Sequence, residues 1–191
     1  MLNEIRSGLR PALVLTLLFA ALLGLAYPAL ITGIGRIAFP WQASGSLVRD
    51  ARGVAIGSAI IGQQFASPGY FHGRPSAAGK GYDALASSGS NYGPAAKPLA
   101  DRISATLASP DALAPPADLV TASASGLDPD LSPEAALYQA PRVAAARHVD
   151  PAKVRALVDR HTARPLLGFI GEPRVNVLAL NRALDAAAPR P

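Results

Sequence analysis

No cysteine occurs among the 191 residues, so disulfides and thiolate metal sites are excluded, and the redox compartment cannot be read from cysteine usage. Aromatics are also scarce. With five Phe, five Tyr and one Trp, a core has to be assembled mainly from Leu, Val, Ile and Ala. Only one uncharged apolar run reaches membrane length, so the chain crosses a bilayer once and cannot enclose a pore alone. The net charge of +5 is spread along the chain, without an arginine run or alternation with aromatics, which argues against nucleic-acid binding. A basic balance suits work near anionic lipid.

The patterns of common catalytic sites are missing as well. There is no Gly-x-Ser-x-Gly elbow to seat a hydrolase serine. Gly73 to Gly81 (GRPSAAGKG) departs from a phosphate loop: five residues separate Gly73 from Gly79, and Gly81 stands where a magnesium-binding Ser or Thr belongs. Gly79-Lys80-Gly81-Tyr82-Asp83-Ala84 fits a loose dinucleotide fingerprint, but no strand precedes it. His72, His148 and His161 lack metal-ligand spacing, and Asp128-Pro129-Asp130 lacks the other oxygens of a calcium loop, leaving turn and capping duty for both aspartates. The reading is a non-enzyme with no catalytic residue, no metal and no assignable cofactor site.

What the chain does have is Ala12 to Ile31, twenty residues without a formal charge, eight of them leucine. At about 1.5 Å per residue a helix of this length spans ~30 Å, the thickness of a bilayer core. The run is apolar all round, and nothing later is greasy enough to bury it as a core helix. A cleaved signal peptide is the other reading, since Gly24 and Ala26 offer small residues, but the apolar run continues to Ile31. The expected organisation is a leader over 1–10, a membrane helix over 11–35 and one soluble α+β domain over 36–191. Pro11 is expected in the first helical turn, and Ala20, Ala21 and Gly24 form a small face for close helix packing. Arg6, Arg10 and the α-amino group precede the span and Arg36 and Arg49 follow it, a slight bias toward a cytoplasmic N-terminus and an external domain. Tyr27 and Trp41 suit a membrane interface.

Beyond the span, Ser46–Val48 and Val54–Ile56 around Asp50-Ala51-Arg52-Gly53 predict a hairpin. Phe65 to Gly93 is a long turn-rich loop whose aromatics show that it packs on something. A helix is expected over 94–107 with Leu99, Ile103 and Leu107 on one stripe, then a strand over 118–123. Ser132-Pro133-Glu134 starts a helix that Pro141 should split into 133–139 and 141–148. Asp150-Pro151 starts another, buried through Val154, Leu157, Val158 and His161. Val175–Val177 predicts a strand, followed by a last helix to about Ala187.

Several of these segments resemble the C subunit family of the Kdp potassium-transporting ATPase. They are Gly57-Ser58 through Ile61-Gly62-Gln63, Tyr70 to Ser76 (YFHGRPS), Ser88 to Pro94 (SGSNYGP), Ala117 to Asp128, Pro141-Arg142-Val143-Ala144, and Gly171 to Val177 with Leu180-Asn181. Ser88 and Tyr92 depart from the residues common in that family. The resemblance implies an accessory subunit of an ATP-driven potassium pump, partnered by a pore-forming subunit, an ATP-hydrolysing subunit and membrane lipid. It also implies ATP binding as a catalytic chaperone, a role that conflicts with an external domain and receives no residues here. For contacts with the pore subunit, Tyr70, Phe71, Arg74, Asn91 and Tyr92 are the candidates, since aromatics and Arg dominate interface energetics. The competing readings are a cytoplasmic domain that touches ATP and a membrane-anchored envelope hydrolase.

Overall fold

A computed structural model describes residues 2–108 and 114–188, which divide into two compact units, 1–47 and 48–191. The first unit is a helical rod. Helix α1 (Leu2–Ala21) passes through a π-helical turn (Leu22–Ala26) into α2 (Tyr27–Ala38), and a short α3 (Pro40–Ala43) follows. The helical stretch Glu4–Ala38 is long and apolar enough to cross a membrane, and its apolar window is wholly exposed. Helical residues also occupy the expected leader, and Pro11 lies inside α1 rather than in its first turn. The π turn has a local cause. Pro28 has no N–H to offer the Gly24 carbonyl and its ring crowds that oxygen, so the chain shifts register and the Tyr27 N–H bonds the Leu22 carbonyl five residues back. Trp41 Nε1 donates to the Leu47 carbonyl at 3.0 Å, which ties the end of the rod together.

The second unit has mixed helices and short strands. β1 (Leu47–Arg49) and β2 (Ala55–Ser58) form the expected hairpin, its turn shaped by Asp50, whose Oδ1 accepts from the N–H groups of Arg52 and Val54 at 2.9 Å. After the long loop come α4 (Lys97–Leu107), α5 (Ala117–Val120), β3 (Asp130–Leu131), α6 (Pro133–Ala146), α7 (Pro151–His161), β4 (Thr162–Ala163), β5 (Arg174–Asn176) and α8 (Val177–Ala187). β3, β5 and β4 make an antiparallel sheet with β5 central, Leu131 and Thr162 flanking Val175. Helices α6, α7 and α8 are each started by a side chain. Ser132 Oγ, Asp150 Oδ1 and Asn176 Oδ1 accept from the N–H groups of Ala135, Ala152 and Ala179 at 3.1, 2.8 and 3.0 Å.

The core lies between this sheet and the helices. Ala136, Ala140 and Ala144 give α6 a face of small residues that lets α7 pack closely, and Val143, Val154, Val158, Leu180 and Leu184 fill the space between.

The structure corrects several expectations. Pro141 does not split α6, because burial of Ala140, Val143 and Ala144 outweighs a penalty of roughly 3 kcal/mol for an interior proline. The segment expected as a strand over 118–123 opens instead with the helical turn α5, held by Thr121 Oγ1 donating to the Ala117 carbonyl at 2.7 Å and by Asp118 accepting from the Ser132 N–H at 2.7 Å. Helix α4 starts at Lys97 rather than Pro94, and Leu107 on its stripe is exposed. His161 is only half-buried. Asp128 and Asp130 do more than shape a turn: they pair with Arg74 and Arg174 at 3.1 and 3.2 Å.

Candidate functional site

Residues 59–96 carry almost no regular structure, yet a buried backbone must find hydrogen-bond partners somewhere. They come from side chains on α6 and α8. Asn181, 1% exposed, accepts from the Phe71 N–H and donates to the Phe71 carbonyl, both at 2.9 Å. Gln139 does the same for His72, at 2.8 and 3.0 Å. Arg142 donates to the carbonyls of Pro68 and Tyr70, and Arg147 to those of Gly69 and Ala188. Side chains thereby supply the partners that a neighbouring strand would supply in a sheet.

A second knot lies further along. Ser76 Oγ donates to the Gly126 carbonyl at 2.6 Å and accepts from the N–H groups of Ala78 and Tyr82 at 3.2 and 2.7 Å. Gly126 has φ +65, and a Cβ there would lie 2.6 Å from Ala78 N and Ser88 O, so only glycine allows the two segments to meet. The Tyr82 hydroxyl donates to the Arg74 carbonyl at 2.6 Å. Burial, with Asp128 acting in the same direction, raises its pKa above the ordinary phenol value.

Between these knots opens a cleft of about 630 Å³, its wall including His72, Arg74, Lys80, Tyr82, Tyr138 and Arg142. No carboxylate lines it among the described residues. Burial holds the His72 pKa below the usual 6.5; the Ser67 carbonyl opposes this and the Arg142 charge adds to it. Between that lowered value and 6.5 the unfolded chain therefore binds more protons than the folded chain. Stability is full above pH 6.5 and falls as the pH drops through the lowered imidazole value. Thermal melts of the full chain across this range should show that loss, and His72→Gln should flatten it; an unchanged slope would remove His72 as its cause.

The five contact candidates have separate fates. Phe71 is 0% exposed and belongs to the core, so its ring has no surface to offer a partner. Tyr70 is half-buried, with its hydroxyl donating to Asp185 Oδ2 at 2.8 Å and the Arg147 guanidinium 4.9 Å above its ring. Arg74 pairs with Asp128 on the cleft wall. Asn91 and Tyr92 stay at the surface, Tyr92 beneath Arg102 at 5.9 Å. In the rod, Ala20 and Ala21 end α1 and Gly24 sits in the π turn, all exposed. Sequence reasoning passed over Gln139, Arg147 and Asn181 as working residues. No signal in the sequence marks them, because the backbone groups they bond lie 67 to 110 residues away.

No group of three His, Cys, Asp or Glu able to hold a metal ion occurs among the described residues. The model of the K+-transporting ATPase c chain family, KdpC, matches residues 9–186. The chain belongs to the KdpC family. Curated KdpC subunits of potassium-transporting ATPases resemble it over nearly their whole length. That of Caulobacter vibrioides (strain NA1000 / CB15N) is 62% identical over 96% of this chain and 95% of its own. That of Variovorax paradoxus (strain S110) is 58% identical over 94% and 96%, and that of Rhodopseudomonas palustris (strain ATCC BAA-98 / CGA009) 51% over the whole of both. The resemblance carried by the loop motifs is therefore confirmed, and the chain is a subunit of a potassium-transporting ATPase.

The two guanidinium groups of the KdpC cleft are engaged within the chain. The Arg74 guanidinium is held by Asp128 Oδ2 at 3.1 Å and Thr121 Oγ1 at 3.4 Å, and Arg142 is engaged by backbone carbonyls and Gln139 Oε1. Lys80 stands exposed at the rim of the cleft.

Proposed function

We propose that this KdpC chain is an accessory, non-catalytic subunit of a high-affinity ATP-driven potassium uptake pump, which assembles with and stabilises the pore-forming and ATP-hydrolysing subunits. One observation carries the reading: an apolar rod exposed on all sides, which nothing among the described residues covers. Such a surface requires lipid or the helices of companion chains. Residues 1–10 form the cytoplasmic leader, 11–35 cross the inner membrane, and 36–191 form the head on the extracytoplasmic side, following the arginines before the span. Gly24, Ala20 and Ala21 are the positions where a neighbouring helix can approach most closely, because no Cβ or only a methyl group stands in its way. On the head, Asn91 and Tyr92 are the surface candidates for the pore subunit, and the half-buried Tyr70 and Arg74 are further ones.

The sequence contains no cysteine, so a single Leu85→Cys at a fully exposed position gives one unambiguous label. In intact cells a membrane-impermeant thiol reagent should label it, and the labelled chain should co-elute with the two larger pump subunits. Protection in intact cells with full labelling after lysis would place the head in the cytoplasm and overturn the orientation. Elution without companion chains would overturn the assembly role.

A further inference from the structure

Strands β4 and β5 form the base of a hairpin in which Ala163 faces Arg174, and residues 164–173 are its loop. The loop is tied a second time near its end. The Leu166 N–H donates to the Ile170 carbonyl at 3.0 Å, and the Ile170 N–H to the Leu166 carbonyl at 2.9 Å. At the tip, Leu166, Leu167, Phe169 and Ile170 are 68%, 76%, 76% and 50% exposed. Four large apolar side chains thus stand in solvent on a preorganised turn. The root is rigid, because β5 is the central strand and its Val175 is fully buried.

Neither folding nor turn geometry accounts for these residues. Leu167 adopts φ +53 beside Gly168 at φ +83, a left-handed conformation in which Gly or Asn is less strained than leucine. An exposed leucine in that conformation is disfavoured by both backbone and solvent, which points to an external partner for its side chain. The charges at the loop's ends indicate what kind. Arg164 stands on one side of the tip and Glu172 on the other, while Arg174 is turned to Asp130 at 3.2 Å. A surface adapted to anionic lipid carries basic residues around its apolar part; one charge of each sign matches a protein rim.

We propose that the Leu166–Ile170 tip is a plug that inserts into an apolar pocket on a companion subunit of the pump, with Arg164 and Glu172 facing charges of opposite sign at the pocket rim. This rests on the reading that the chain assembles with those subunits. The rigid turn limits the ordering that docking requires, and the aromatic Phe169 supplies the largest contact area.

The test uses the whole pump purified in mild detergent. With p-benzoylphenylalanine in place of Phe169, irradiation should crosslink this chain to a companion subunit. The pair Leu167→Asp and Phe169→Asp should leave the melting temperature of the full chain unchanged, since both side chains are exposed, yet lower its recovery with the pump by about tenfold. Crosslinks confined to phospholipid or to a second copy of this chain would overturn the plug, as would full recovery of the double variant while the unsubstituted chain is recovered normally. Failure of the unsubstituted chain to co-elute would overturn the assembly reading, and the plug with it.

Discussion

Arg147→Met should destabilise the full chain by about 2 to 4 kcal/mol, because two backbone carbonyls lose their donor at roughly 1 to 3 kcal/mol each while the half-exposed Asp185 carboxylate adds little. Arg147 is 4% exposed and lies just beyond the end of α6, where its guanidinium reaches four partners. Nε donates to the Gly69 carbonyl at 2.8 Å and Nη1 to the Ala188 carbonyl at 2.7 Å. Nη2 lies 2.8 Å from Asp185 Oδ1, and the cation covers the Tyr70 ring at 4.9 Å. It joins the long loop, the end of α8 and the end of α6 at one point. Methionine retains much of the packing volume but leaves the Gly69 and Ala188 carbonyls without their donor and removes the cation beside Asp185, whose carboxylate keeps the Tyr70 hydroxyl. Arg147→Lys should recover only part of the loss, because an ammonium cannot present the planar fork these partners require. Denaturant unfolding of the detergent-solubilised chain measures this directly. A loss below about 1 kcal/mol would mean that the two carbonyls find other donors.

The second large effect is expected at Asn181. Asn181→Leu keeps the side-chain volume in the core but leaves the Phe71 N–H and C=O buried and unpaired, each at a cost of roughly 1 to 3 kcal/mol. The expected loss of about 3 kcal/mol should be accompanied by faster hydrogen exchange at the Phe71 amide, because that amide loses the acceptor that protects it. Slow exchange at Phe71 in a destabilised variant would show that another group holds the loop.

Both effects fall on residues that no local pattern marks as special. The hairpin around Asp50, the caps at Ser132 and Asp150 and the apolar rod were readable because each depends on a few neighbouring residues: a turn aspartate, a cap followed by proline, an uncharged run. Pro141 was misread for the converse reason. A local rule breaks the helix there, and burial of Ala140, Val143 and Ala144, visible only after folding, overrules it. The turn at Ala117–Val120 has the same origin, since the Asp118 carboxylate finds the Ser132 N–H fourteen residues away.

The candidate site divides in the same way. The aromatics of the long loop showed that it packs, but not on what. Phe71 was placed among the contact residues although it is a core residue, because an aromatic in a turn-rich segment carries no mark of which way it faces. The apolar tip at Leu166–Ile170 carries no mark in the chain, since its exposure depends on its place at the end of the β4–β5 hairpin.

Sequence alone determined the long apolar helix, the family and the starts of α6 and α7, because these follow from composition, motif order and interactions a few residues in reach. Tertiary structure decided that a long unstructured loop is rigid, since its backbone partners are Gln139, Arg147 and Asn181, 67 to 110 residues distant from the groups they satisfy. Pairings at that separation leave no periodic trace in the chain; they exist only once the helices are packed.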